Sequence, residues 1–260
     1  MSISTALSGL NAARAEIETT SNNIANVSAV GFKRAQVEFD ALLEGASNSG
    51  IRSDFDQGSL IETGKPLDLA ITGSGFFAIR NTLDSQQEFF TRAGDFEINK
   101  DNYLVNRSGQ FILGYQSLNG AMPDPLGELG GLQLLNETAN PNLSIDAVQI
   151  SASGEVKTLY SDGSENLIGQ IALAIFKAPS RLENIGGSQY VPTERSGEAK
   201  TGIPNENAFG AILAGSLEGS NVDISQELIE LIEAQRNYQA AAKAIETTNE
   251  ISETVRNIRV

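Results

Sequence analysis

The sequence predicts an α+β chain: paired, coiled-coil-like helices at the N- and C-terminal ends and a central, mainly antiparallel β domain. Three observations predict it. Apolar residues recur at alternating three-four spacing near both ends. The middle breaks into short runs rich in β-formers. Turn residues separate those runs at hairpin spacing.

At the first end, Ile3, Leu7, Leu10, Ile17 and Ile24 lie on one stripe, with Arg14 and Ser21 in its remaining positions and Ala6 and Ala13 beside it. This is the narrow seam of a coiled coil, not a broad globular face. At the other end Ile224, Leu228, Leu231, Tyr238, Ala242 and Ile245 form a second stripe, with Gln235 in the gap. Ile251, Val255 and Ile258 continue it, displaced around the helix. Ser220, Asn221 and Asp223 offer N-cap side chains, and Gln226 stands three residues after Asp223, the spacing of a capping box. The expected helix runs from Asp223 to about Arg259, with Glu227, Glu230, Glu233, Arg236 and Lys243 on its other faces.

Between the helices, "EGASNSG" (Glu44 to Gly50) reads as a linker. Strand-like runs follow: "LDLAIT", "GFFAIR", "EFFTRAG", "DFEIN", "YLVN" and "QFILGY", then "DAVQIS", "EVKTLY", "IGQIALAIF", "QYVPT" and "AFGAILAGSLE". "NKDN", "NRSG", "SASG" and "SDGS" are the turns, and "MPDPLGELGG" and "ERSGEAKTGIPNENAF" read as loops.

Composition narrows the function classes. The chain has 260 residues, 40% of them hydrophobic, so it can bury a sizeable core. A net charge of −15 argues against nucleic acid or an anionic membrane surface as a partner. There is no cysteine and no histidine, which removes disulfides, thiolate chemistry, the commonest general base and the commonest zinc ligand. No apolar run approaches the roughly 20 residues of a membrane span. The start of the chain lacks the basic and apolar regions of a cleaved secretory signal, so none is expected.

The local patterns that could carry chemistry have simpler explanations. "GSGFFA", Gly73 to Ala78, has dinucleotide-fingerprint spacing, but strand-like sequence follows where the motif needs a helix, so a β-turn is expected. Glu227, Glu230 and Glu233 could gather carboxylates for metal or acid–base work; without histidine they read as the solvated face of a helix. Asp162-Gly163 and Asn99 to Asn102 miss the register of a calcium loop and read as hairpin turns. Tyr103, Tyr160 and Tyr190 read as packing residues. No G-x-S-x-G elbow is present, and two acids across a cleft have no supporting spacing. No catalytic residue, cofactor or metal is expected.

The odd stretch is "SNNIANVSAVGFKR", where Asn22, Asn23 and Asn26 interrupt the first helix before Gly31-Phe32. Asparagine competes for backbone hydrogen bonds inside a helix, so by themselves the amides read as residues that spoil the helix. Two narrow seams also leave apolar surface unpaired, and lone helices are marginal in water. Further copies of the chain are the simplest completion; contacts through non-identical surfaces give a helical assembly when the rotation does not close a ring.

"SGLNAARAEIETTSNNIANVSAVGFKR" closely resembles the N-terminal motif of the bacterial flagellar rod and hook axial proteins: N-N-x-A-N followed by G-F-K, with Ala29 where the family commonly has threonine. "GSLIETGKPLDLAITGSGFFAI" and "FTRAGDFEINKDNYLVNRSGQFILGY" are similar to the family's Q-G-x-L, L-D-x-A-I-x-G-x-G-F-F and T-R-x-G-x-F segments. "GSLEGSNVDISQELIELIEAQRNYQAAAKAIETTNEI" resembles its S-N-V-x-x-x-x-E-L and A-Q-R-x-Y signature. The resemblance implies a structural subunit of the flagellar axis, polymerising into a hollow helical hook that acts as a universal joint and passes exported protein. A distal-rod (drive-shaft) subunit is the alternative, and a monomeric β-rich binding module or carboxylate-dependent hydrolase is the alternative of another class. It implies an inner-tube domain made of residues 1–43 and 220–260, with residues 44–219 as linker and outer β domain.

Implied partners are further copies of the chain in a helical homopolymer and neighbouring rod, hook, hook-cap or hook–filament junction proteins, with no nucleic acid and no lipid-embedded segment. The implied location is the hook and basal body, reached by export across the inner membrane without a cleaved signal. The expected assembly interface comprises Ile3, Leu7, Leu10, Ile17, Asn22, Asn23, Ile24, Asn26, Gly31 and Phe32, with Leu228, Leu231, Gln235, Arg236, Tyr238 and Ile245 on the second helix.

Overall fold

The computed structural model describes residues 3–42, 45–117, 128–134, 145–161 and 163–258. They form two compact units: Met1–Ser28, Lys33–Asp54 and Val222–Val260 make a helical unit, and Ala29–Phe32 and Phe55–Asn221 make a β unit. The architecture is α+β, with long helices near the two ends and, among the described residues, only antiparallel strand pairing. No described helix is long and apolar enough to cross a membrane.

The helical unit contains α1 (Ile3–Ala25), the hairpin β1 (Ala35–Leu42) and β2 (Gly45–Ser53), and α2 (Ile224–Ile258). The stretch "EGASNSG", expected to be a linker, is a correction. From Gly45 on it is strand, registered against β1 from Ala35 opposite Ser53 to Leu42 opposite Gly45, with a bulge at Glu38/Phe39. The apolar and β-branched residues of β1 template the pairing, and small residues opposite them do not obstruct it. At the start of α2, Asp223 Oδ1 accepts from the amides of Ser225 (2.7 Å) and Gln226 (3.2 Å), as an N-cap should. The other half of the capping box is replaced: the Gln226 amide reaches forward to Glu230 instead (2.8 Å).

The β unit contains β3 (Leu60–Glu62), β4 (Leu69–Thr72), β5 (Phe76–Arg80), β6 (Phe89–Thr91), β7 (Phe96–Ile98), β8 (Leu104–Asn106), β9 (Phe111–Gln116), β10 (Gly130–Gly131), β11 (Ile145–Ile150), β12 (Glu155–Tyr160), β13 (Glu165–Ile171), β14 (Leu173–Ile175), β15 (Glu183–Gly186), β16 (Gln189–Val191), β17 (Lys200–Gly202), β18 (Ala211–Ala214) and β19 (Ser216–Glu218). The main sheet runs β11-β12-β13-β9-β5-β6-β16-β15, and β4 pairs with β18 and β3 with β19 in separate ribbons.

Strand β5 shows why the apolar runs were legible. Side chains alternate across a sheet, so Phe77 and Ile79 enter one core with Leu69, Leu104 and Ile112. Phe76 and Ala78 enter a second core with Phe90, Leu113 and Tyr190. A strand covered on both faces needs no polar alternation, and "FFAI" has none. The expected turn at "GSGFFA" is present between β4 and β5, with Gly73 at φ 101° and Gly75 at φ 144°. Asn99 Oδ1 accepts from the amides of Asp101 and Tyr103 (2.9 and 2.8 Å), and Asn106 Oδ1 from those of Ser108 and Gln110 (3.0 and 2.9 Å). Both asparagines therefore close hairpins. Asp162 lies outside the described residues.

Candidate assembly interface

Helices α1 and α2 pack side by side and antiparallel: Asn23 meets Glu227 at one end, and a Cβ on Gly9 would sit 3.9 Å from that of Ala241 at the other. Among the described residues, the buried positions of α1 are Ala6, Ala13, Thr19, Thr20 and Asn23, and those of α2 are Glu227 and Ala234. Ala6, Ala13 and Thr20 recur every seven residues, as do Glu227, Ala234 and Ala241. Apart from Glu227, the side chains at these positions are small and let the two backbones approach closely.

This corrects the expected packing within one chain. The large apolar stripe does not form the α1–α2 seam: Leu7 stays 50% exposed, Leu228 46% and Tyr238 38%. Leu10, Ile17, Ile24, Leu231 and Ile245 are half-buried, and Gln235 and Arg236 are exposed. Ile3 is the first helical residue. Each stripe is displaced by about one residue, roughly 100°, from the seam that is sealed.

The three asparagines divide the work at the end of α1. Asn26 Nδ2 donates to the Asn22 carbonyl (2.9 Å), which also accepts from the Asn26 backbone amide (3.2 Å), so one residue closes the last turn twice. Asn22 keeps its own side chain at the surface. Asn23 is 1% exposed and satisfied on both sides: its Nδ2 donates to the Ala35 carbonyl (2.8 Å) and to Glu227 Oε2 (3.0 Å), while its Oδ1 accepts from the Ala35 amide (2.9 Å). One amide thus joins α1, the first residue of β1 and α2.

Glu227 is a second correction. It is fully buried rather than part of a solvated face, with Oε1 bound to Arg34 Nε. The Arg34 fork then places Nη2 2.7 Å from both Glu230 oxygens. Burial works against the Arg34 charge, but Glu227 and Glu230 more than offset it, so its pKa is raised. Sequence reasoning missed Arg34, because its partners lie about 200 residues away.

Beside this cluster is a groove of about 290 Å³ lined by Glu16, Thr19, Thr20, Arg34, Val37, Glu230, Glu233 and Asn237, among others. Burial pushes the Glu16 carboxyl up, and the charges of Glu230 and Glu233 push it further. A raised carboxyl pKa means that the folded chain holds the proton more tightly than the unfolded chain. The helical unit of the free chain is therefore expected to lose stability as pH rises from the ordinary carboxylate value through the raised one. Urea titrations at several pH values should show that slope, and Glu16→Gln should flatten it.

In the β unit, Gly31 and Phe32 are buried. Gly31 has φ 64° and donates to the Glu218 carbonyl (2.8 Å); a Cβ there would lie 2.3 Å from the Ala93 nitrogen. Both the left-handed backbone and the close approach require glycine. The Glu218 carboxylate is fully buried against Arg92 Nη1 (3.2 Å) and accepts from the Gly58 amide (2.9 Å). Arg92 Nη2 donates to the Gly73 carbonyl (2.8 Å), and the guanidinium lies 5.3 Å from the Phe76 ring centre. Among the described residues, no group of three or more acids or other ligand types is arranged to hold a metal.

Three family models match the chain: "Flagella basal body rod protein" over residues 3–33, "Flagellar hook protein FlgE/F/G D1 domain" over 70–158, and "Flagellar basal body rod FlgEFG protein C-terminal" over 213–258. The flagellar basal-body rod protein FlgG of Agrobacterium fabrum is 31% identical over 278 aligned positions, covering 96% of each chain. FlgG of Caulobacter vibrioides is 32% identical over 98% of each. The flagellar hook protein FlgE of Brucella suis is 26% identical over 389 positions, covering 98% of each. These relatives carry the names of structural proteins, and their matches span the chain from end to end; the chain belongs to the flagellar rod and hook protein family.

Proposed function

We propose that the chain is a structural subunit of the flagellar axis that polymerises through α1 and α2 into a hollow helical tube, with the β unit adding contacts to neighbouring copies. The observation that carries this reading is the mismatch within the helical unit. Small residues seal the α1–α2 seam, while Leu7, Leu228, Ile229 and Ile232 remain about half exposed. Large exposed apolar patches mark interaction surfaces. Burying the remainder of each side chain would give about 1 kcal/mol apiece.

The interface residues named from the sequence fit this role as two groups. Leu7, Leu10, Ile17, Ile24, Leu228, Leu231, Tyr238 and Ile245 form the coiled-coil-like surface between copies. Asn23, Asn26, Gly31 and Phe32 shape the chain where α1 ends. Residues 1–43 and 220–260 supply the tube, and export proceeds unfolded through the flagellar channel; a chain without cysteine carries no disulfide to obstruct it. Neighbouring axial proteins continue the structure at each end.

Between hook and rod, alignment length favours the rod. The FlgG match needs 278 positions for a 260-residue chain, whereas the FlgE match needs 389 and so carries long gaps. Electron microscopy of polymer grown from the purified chain tests both levels. Tubes are expected, straight for a rod and curved for a hook. Leu7→Asp/Leu228→Asp should remain monomeric with an unchanged β-unit melting transition. A double variant that polymerises normally would remove the helical surface from the reading.

A further inference from the structure

The far side of α2 carries a surface that the α1 pairing does not use. Ile229, Ile232 and Arg236 follow i, i+3, i+7 spacing and share one face. Ile232 and Arg236 each stand two residues from buried Ala234, so that face points roughly 200° away from the α1 seam. Ile229 is 54% exposed and Ile232 50%. Arg236 is exposed, and among the described residues it has no hydrogen-bond or ion-pair partner.

The groove at α1, α2 and β1 has the complementary deficiency. Arg34 is committed to Glu227 and Glu230. Among the described residues, Glu16 and Glu233 have no cationic partner, although both line the groove. Val37 supplies an apolar wall, and Thr19 and Thr20 a small-residue floor. The groove therefore has uncompensated negative charge beside apolar surface, and a separate face of α2, turned roughly 100° round the helix from its groove-lining residues, has uncompensated positive charge beside apolar surface.

We infer that the Ile229–Ile232–Arg236 face of one copy docks into this groove of the next, with the Arg236 guanidinium between Glu16 and Glu233 and the two isoleucines against the groove rim. The inference rests on the proposed assembly and names one of its contacts. Donor face and acceptor groove are different surfaces of the same chain, so the contact is head-to-tail and every added copy presents a fresh face. The crowding that pushes the Glu16 carboxyl up in the free chain is relieved by the incoming guanidinium. The other charges facing the site are Glu230 on α2 and Arg34 just before β1, so the contact weakens with salt and with acidification.

A charge-exchange experiment on the full-length chain tests this. Arg236→Glu places an acid against the acidic groove, and Glu233→Arg places a cation against Arg236. Each variant alone should polymerise only at a protein concentration raised at least about tenfold, because like charges face one another across the contact. An equimolar mixture of the two should recover near-wild-type polymerisation, since alternating copies then meet opposite charges at every contact. Arg236→Gln should show an intermediate effect with weaker salt dependence. Unchanged far-UV circular dichroism of the monomers separates misfolding from lost docking. Normal polymerisation of Arg236→Glu, or a mixture no better than its components, overturns this contact and leaves the assembly reading standing. A wild-type chain that forms no polymer overturns both.

Discussion

Glu218→Ala is expected to destabilise the β unit by about 3–5 kcal/mol, the usual cost of stranding one member of a buried ion pair. Glu218 is fully buried and Arg92 is 4% exposed. Burial already lowers the Arg92 pKa, and Glu218 is the first group that opposes this. Without it, the guanidinium keeps two carbonyls and the face of Phe76 but no counter-charge. The Gly58 amide also loses its acceptor. Glu218→Gln can retain the bond to Gly58 and should cost less than alanine. Arg92→Met/Glu218→Leu should cost less than either single truncation to alanine, because neither half of this ion pair is left stranded. Urea unfolding followed by tyrosine fluorescence in a Tyr238→Phe background reads this unit, since the remaining tyrosines, Tyr103, Tyr115, Tyr160 and Tyr190, all lie in it. A loss below about 1 kcal/mol for Glu218→Ala would mean that water reaches Arg92 and screens the pair.

Local sequence carried the elements whose causes are local. "FFAI" reads as a strand because both of its faces are apolar. Asn99 and Asn106 read as turns because their side chains bond backbone two to four residues on. The ends of α1 and α2 follow from Asn26 and Asp223. What the sequence hid depends on partners far along the chain. The largest apolar residues looked like the obvious seam, yet the chain seals Ala6, Ala13, Thr20 and Ala234 and leaves much of Leu7 and Leu228 to solvent. A seven-residue recurrence of small side chains was present as a signal, but hydrophobic periodicity weights size and passes over alanine. Glu227 looked like its neighbours Glu230 and Glu233; only the fold brings Arg34 and Asn23 to it. Strand β2 is made by its partner, because nothing in "GASNSG" favours extension except the β1 residues it faces.

Glu227→Ala should produce the corresponding collapse in the helical unit, again by about 3–5 kcal/mol, and it should take assembly with it. Glu227 is fully buried, and its two oxygens are divided between Arg34 and Asn23. Removing them takes the buried counter-charge from half-buried Arg34, whose bond to Glu230 lies on the rim of the groove. The Asn23 amide loses one of its two acceptors but keeps the reciprocal pair with Ala35. Asn23→Ala breaks all three of its bonds and should cost about 1–3 kcal/mol, since neutral groups are cheaper to strand than a charge. The order of effects is therefore diagnostic: Glu227→Ala worst, Asn23→Ala intermediate, and Arg34→Met/Glu227→Leu milder than Glu227→Ala. Ellipticity at 222 nm reports this unit selectively, because α1 and α2 both belong to it. If Glu227 acts as the tie between α1, α2 and Arg34, the 222 nm transition shifts while tyrosine fluorescence from the β unit, read in the Tyr238→Phe background, holds. A simultaneous shift of both transitions would instead mean that the two units unfold as one cooperative block, and Glu227 would then be a determinant of whole-chain stability rather than of the helical pair.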